Sequence, residues 1–467
     1  SISNNKNSLK TPSVMGIIKS GNSNLWIATD GGGIDVYNQI TEKITHINTE
    51  DASTYYGLTS DYIISLFKDS KGNIWAGSWD NGIYFLKKGN NNFVNYNVKN
   101  TSGTLTSNSI QSFAEDSNGE IWIAAFLGGI QSFNPKTKKF TKYDLGPFLK
   151  SNFNNVDVRK IIIDANDNVC VGTSKNGLYL IRRENSLIKE VTYYGTLMSK
   201  KYNNPSEAND ILTLYQDSNK NIWVGTSGAG LCKINIIDNS IAWFNEENGL
   251  KNSSISGIIE DKHYNLWLSG NEGLTKMNIS NNSFTNYTNN DGLLSNDFNF
   301  DAAFKDLEGG LYFGNFKGVD YFNPKNIKTN KTPPSLSFTD LKVFNKDVEL
   351  GKKDSPLSKS LSEIDHLVLS SKQSVFTIEY SGISFTRPEK NSYAFYLEGY
   401  ETDWNYVENK RNATYTNLDH GDYTFKLKAA NNDGVWSKQP LELKIRILPP
   451  WWRTNWAIFL YVLIFLL

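Results

Sequence analysis

Side-chain chemistry needs a convergent set of acids, bases, nucleophiles or metal ligands, and this chain has few residues to build one from. It has four histidines, His46, His263, His366 and His420, and two cysteines, Cys170 and Cys232. No metal-ligand spacing surrounds the cysteines. Each replaces an ordinary core or strand residue of a repeated motif, so both are expected as buried free thiols. Asp69, Asp116, Asp164, Asp217, Asp261 and Asp306 each close an apolar stretch and open a polar turn, as in "DSKG" and "DSNG". One such aspartate per repeat at one turn points to backbone capping, not to catalysis or calcium binding. What remains is a set of loop tips: Trp79 and Asp80 in "SWDNG", Phe126 in "AFLGG", Phe316 and Lys317 in "NFKG". A ring at such a tip suits stacking on a sugar face, and Lys175, Asn176, Asn271 and Glu272 in the equivalent turns offer hydrogen bonds to fix orientation. The alternative is that the rings pack on adjacent loops or on another domain. The stretch "YYGTLMSKKYNNPSEAND" (193–210) is a second candidate, as a rim or partner contact.

The elements that position these tips are repeats. "NLWIATDGGG", "GNIWAGSWDNG", "EIWIAAFLGG", "NVCVGTSKNG", "NIWVGTSGAG", "NLWLSGNEG" and "GLYFGNFKG" align Trp26, Trp75, Trp122, Cys170, Trp223, Trp267 and Tyr312 in one column. Their spacing of roughly 45–50 residues lies in the range of propeller repeats. An apolar stretch precedes each copy, a third strand follows, and the first six copies carry a fourth, such as "KITHIN" and "NFVNYN". Four short strands per repeat predict a seven-bladed β-propeller over 1–330, with the Trp column as core between blades. The seventh copy runs into "KNIKTNKTPP", too polar for a fourth strand. Ring closure normally borrows a strand from the other chain end. Residues 1–10 offer little, which suggests a fragment cut upstream. On this plan His46 falls on an outer strand and His263 in a turn at the opposite face, so a propeller lyase with a His/Glu and metal centre is disfavoured. No cofactor and no metal are expected.

After Pro333-Pro334 the pattern changes. Roughly seven strands over 331–448 fit a fibronectin- or immunoglobulin-like β-sandwich, with Trp404 and Trp436 as core plugs. The segment 449–467 opens with "PPWWRTN" and ends in the apolar run "WAIFLYVLIFLL". That run is too short to span a bilayer, but the interfacial tryptophans and Arg453 give it the character of the first half of a transmembrane helix. The polar N-terminus is no signal peptide. The 48 basic and 48 acidic side chains cancel, and without a basic stripe nucleic acid is not an expected partner. Aromatics at 13% suit an all-β chain.

The repeats resemble the two-component-regulator propeller repeat. Tyr393, Tyr396, Leu397, Gly399, Trp404, Tyr415, Leu418, Gly421, Tyr423, Ala429, Asn431, Gly434 and Trp436 resemble the pattern of the Y_Y_Y domain that follows such propellers. The order propeller, Y_Y_Y domain, Pro-Pro-Trp-Trp, membrane helix is similar to the periplasmic sensor of a Bacteroidetes hybrid two-component system. The resemblance implies a periplasmic region anchored in the inner membrane that senses a carbohydrate and forms a homodimer through the Y_Y_Y domain. It also implies cytoplasmic kinase modules after the helix, with no enzyme activity in this part. An extracellular scaffold for protein partners is the competing reading.

Overall fold

The computed structural model describes residues 8–21, 23–50, 55–149, 156–184, 187–202, 204–352 and 355–466. They form two compact units, Ser1–Asn326 and Ile327–Leu467. In the first, seven antiparallel sheets follow one another, six of four strands and the last of three. The inner strands are Val14–Ser20, Ile63–Lys68, Ile110–Glu115, Val158–Ile163, Ile211–Gln216, Ile255–Glu260 and Phe298–Lys305. Each touches the inner strand of the next sheet, and the seventh touches the first, so the order is cyclic and propeller-like. Second strands such as Ile74–Ser78, Ile121–Ala125 and Ile222–Thr226 are buried at every position. That is why they read as unbroken apolar runs and not as alternations. The outer strand Lys139–Tyr143 buries no residue fully.

The recurring aromatic column is core. Its seven members are at most 3% exposed, and Trp75 and Trp223 pack against the inner-strand residues Ile110 and Ile255 of the following sheets. The turn aspartates do more than cap. Each accepts the amide N–H four residues on, at 2.7–3.0 Å. The other carboxylate oxygen accepts the indole N–H of Trp75, Trp122, Trp223 and Trp267 at 2.8–3.1 Å. In the seventh sheet the Tyr312 hydroxyl donates to Asp306 at 3.3 Å. Ser20 replaces the aspartate in the first sheet. The word after Trp, as in "WAG" and "WVG", has its own cause. A Cβ on Gly77 would lie 2.4 Å from the Ile110 carbonyl oxygen, and one on Gly225 2.6 Å from that of Ile255. The next sheet approaches too closely for a side chain.

Closure is side by side. Val14, Ile17, Leu25 and Ile27 share one apolar cluster with Tyr312. The Asn299 amide donates to the Val14 carbonyl at 2.8 Å and Gln39 to the Tyr312 hydroxyl at 2.9 Å. Among the described residues no fourth strand completes the seventh sheet.

Between the third and fourth sheets lies a buried cation. The Arg183 guanidinium, 3% exposed, donates to Asp116 at 2.7 Å and Asp167 at 2.9 Å and stacks 4.8 Å above the Trp122 ring. Burial alone raises the Asp116 pKa. The Trp122 indole, the Arg183 guanidinium and the Glu120 amide outweigh it and hold the carboxyl below its ordinary value. Cys170 and Cys232 are buried free thiols.

The second unit packs a four-stranded sheet on a five-stranded one, nine strands in place of the roughly seven expected. The additional ones include the short Lys346–Asp347 and Asn405–Val407. One pairing, His366–Leu369 with Leu441–Ile447, is parallel. Its core plugs are Phe376, Tyr380, Tyr393 and Phe425, each at most 1% exposed. Trp404 and Trp436 are not core plugs: both are half-buried. Trp404 lies under the Lys428 ammonium, and Trp436 meets Tyr406 edge-on. An indole body shielded by a neighbour while its rim stays wet is a stable place for Trp. The characteristic tyrosines are structural. Tyr393 accepts the Gly382 amide, Tyr415 donates to Glu401 and Tyr423 to the Asp419 carbonyl. Asn455–Leu466 forms a helix of 12 residues, about 18 Å long by the usual rise. Its apolar side chains are exposed on every side. No helix of the described residues is long and apolar enough to cross a membrane.

Candidate functional site at the mouth of the ring

Every inner strand carries one irregularity near its start. Pairing with the second strand skips Met15, Ile64, Gln111, Arg159, Leu212 and Ser256, and in the seventh sheet it skips from Phe298 to Ala303. A bulge leaves its extra residue out of the ladder and re-aims the side chain. Here the aim is inward. A cavity of about 290 Å³ is lined by Met15, Ile64, Gln111, Arg159 and Leu212, by Phe300 and Asp301 of the longer seventh bulge, and by Trp79, Phe126 and Asp157.

The tips are pinned from the backbone. In the first five sheets the amide of the residue after the second strand donates to a carbonyl two residues before the bulge. Trp79 bonds Tyr62, Phe126 bonds Ser109, Ser174 bonds Asp157 and Ser227 bonds Asp210, at 2.9–3.0 Å. Trp79 and Phe126 are thereby brought together, ring centroids 5.6 Å apart, with Trp79 51% exposed. The other expected residues lie outside the cavity lining. Asp80 accepts the Ser60 hydroxyl at 2.6 Å, and Asn176 donates to the Ser174 carbonyl at 3.3 Å. Lys175, Asn271, Glu272 and Lys317 are exposed on their turns, as is the Phe316 ring at 54%. The stretch 193–210 forms two short helices, Gly195–Lys201 and Pro205–Ala208, and buries Met198 in a core cluster.

The same cavity is lined by a charged group absent from the expected set. Arg159 lies 3.2 Å from Asp210 and 3.6 Å from Asp157. Burial is the main force raising the Asp157 pKa, and Asp210 adds to it while Arg159 opposes it. The mouth therefore mixes apolar side chains, Met15, Ile64, Trp79 and Phe126 among them, with the charged Arg159, Asp157 and Asp301. Below it, Lys160 reaches across to Asp301. These two border a second cavity of about 320 Å³ that shares Met15, Ile64 and Asp301 with the first. Lys160 stands out because its column, four residues before each turn aspartate or Ser20, otherwise holds Gly16, Ser65, Ser112, Thr213, Gly257 and Ala302.

Residues 57–80, 104–126 and 206–228 match the two component regulator propeller family, and 384–448 match the Y_Y_Y domain. The chain therefore joins two-component-regulator propeller repeats to a Y_Y_Y domain. It is 33% identical over 461 residues, 96% of its length, to histidine kinase P4 of Formosa agariphila, and spans 32% of that protein. Its fold is similar to an extracellular domain assigned to a hybrid two-component system of B. thetaiotaomicron, with TM-score 0.75 and 24% identity, covering 95% of this chain and 56% of that one. A second such domain from the same organism gives TM-score 0.54 and 22% identity, over 94% of this chain and 57% of that one.

Proposed function

We propose that this chain is the extracytoplasmic ligand-sensing region of a membrane-anchored two-component sensor. The seven sheets are read as a seven-bladed propeller whose mouth takes a carbohydrate. A ligand shifts signalling only by favouring one of two arrangements. The Y_Y_Y sandwich, acting as a homodimer, is the element that carries that bias to a membrane helix beginning near Trp456 and on to cytoplasmic kinase modules. In this reading the region lies in the periplasm, fixed to the inner membrane. The order of the matched domains and the kinase relative support the sensor class. The observation that carries the ligand class is the Trp79–Phe126 pair, which lines the same cavity as Arg159 and Asp157, with Asp210 paired to Arg159 behind them. Rings supply a stacking surface, and the charged cluster supplies hydrogen bonds to hydroxyls.

Trp79→Ala is the test. Calorimetric titration of the intact chain with oligosaccharide fractions should find a binder, and the substitution should weaken it by about tenfold to a hundredfold, the range of a central aromatic anchor. Binding that survives unchanged moves the site elsewhere.

A further inference from the structure

The charges at the mouth are already matched. Arg159, whose side chain is 32% exposed, has Asp210 at 3.2 Å and Asp157 at 3.6 Å, and Lys160 is engaged by Asp301. Three carboxylates face two cations, leaving an excess of one negative charge. At the tips that follow the second strands, Asp30, Asp80 and Glu272 stand against Lys175 and Lys317, again with one acid in excess. Arg159 and Lys160, the cations of the mouth, are both paired, and Lys175 and Lys317 are exposed on their turns outside the cavity lining. A carboxylate or sulfate entering the mouth would have to displace Asp210 from Arg159 to gain the paired hydrogen bonds a guanidinium gives an anion. It would meanwhile stay beside Asp157 and Asp301, an arrangement of like charges that opposes binding. A hydroxyl meets no such obstacle, because it accepts from Arg159 and donates to either flanking carboxylate at once.

We propose that the ligand of this mouth is an uncharged saccharide, and that Asp157, Asp210 and Asp301 exclude acidic ones. The proposal rests on the reading of the mouth as a saccharide site. It differs from that reading in what it forbids.

The test titrates the whole chain, in detergent, with two panels of equal length. One holds neutral hexasaccharides: cellohexaose, laminarihexaose, xylohexaose and mannohexaose. The other holds hexagalacturonate, hexamannuronate and a sulfated galactan hexamer. The expected result is a binder in the neutral panel and affinities at least about tenfold weaker throughout the acidic one. In Asp210→Asn, which removes one negative charge and leaves Arg159 only the longer contact to Asp157, the ratio of acidic to neutral affinity should rise about tenfold, whatever the substitution does to neutral binding itself. An acidic hexamer that binds the unaltered chain as tightly as any neutral one overturns the charge assignment and leaves the saccharide site standing. An unchanged acidic-to-neutral ratio in Asp210→Asn also overturns it. If neither panel binds, the saccharide reading falls and takes this proposal with it.

Discussion

Arg183→Met should destabilise the ring by about 3–5 kcal/mol at neutral pH, the cost of leaving the buried Asp116 carboxylate without its cation. The methionine keeps most of the apolar stem but not the guanidinium over Trp122, so the loss combines the ion pairs with the cation–π contact. Asp116, with a fully buried side chain, would keep the Trp122 indole and the Glu120 amide but lose the 2.7 Å bond that ties the fourth sheet to the third. The pH dependence follows from the sign of the shift. In the intact protein the Asp116 pKa is held below its ordinary 3.8, so its contribution is present above that value and is lost as pH falls through the folded pKa. Without Arg183 the carboxyl loses one hydrogen bond and one neighbouring charge that hold its pKa down, and the folded pKa rises. The penalty is then largest at neutral pH and is relieved as the carboxyl protonates. Urea unfolding at pH 7 and pH 5 should therefore show the variant's deficit shrinking on acidification. Arg183→Met combined with Asp116→Asn should recover part of the loss. A small deficit with no pH dependence would mean that solvent reaches the carboxylates.

The second large effect belongs to the aromatic column. Trp223→Ala should cost about 3–5 kcal/mol, as for other fully buried rings. Trp223→Phe isolates the hydrogen bond. It keeps a ring between the sheets but takes the N–H from Asp217, now 2.8 Å away, and should cost about 1–3 kcal/mol. Trp26 provides the internal control, since its turn carries Ser20 in place of aspartate. Trp26→Phe should cost less than half as much in the same urea experiment. Equal losses at the two positions would show that ring size, not the indole–carboxylate bond, sets the value of the column.

Much of the fold could be read from the chain because it is written several times over. A repeated packing problem leaves a column, and Trp26 to Tyr312 mark it whatever any single copy lacks. The short last repeat was equally plain, because "KNIKTNKTPP" has no strand character. The sandwich was less legible. Two strands of two and three residues give no period to detect, and Trp404 looked like a core residue when its real partner is the Lys428 ammonium. Of the site, Trp79 and Phe126 were visible as rings on tips. Arg159 and Asp301 were not, because they sit inside strands and a charged residue there reads as an outward face. A signal did exist: Met15, Ile64, Gln111, Arg159, Leu212, Ser256 and Asp301 all stand five residues before the recurring turn aspartate, or before Ser20. Only the bulge turns that column toward the cavity.

Because each bulge residue stands outside the ladder, its identity is uncoupled from the bonds that hold its sheet. Met, Ile, Gln, Arg, Leu and Ser all occupy the equivalent position in one molecule. Exchanging them leaves the turn aspartate, the indole and the close-approach glycine untouched. The scaffold and its selectivity are thus separately mutable, so paralogues with this architecture can diverge in what they recognise while inheriting the same frame.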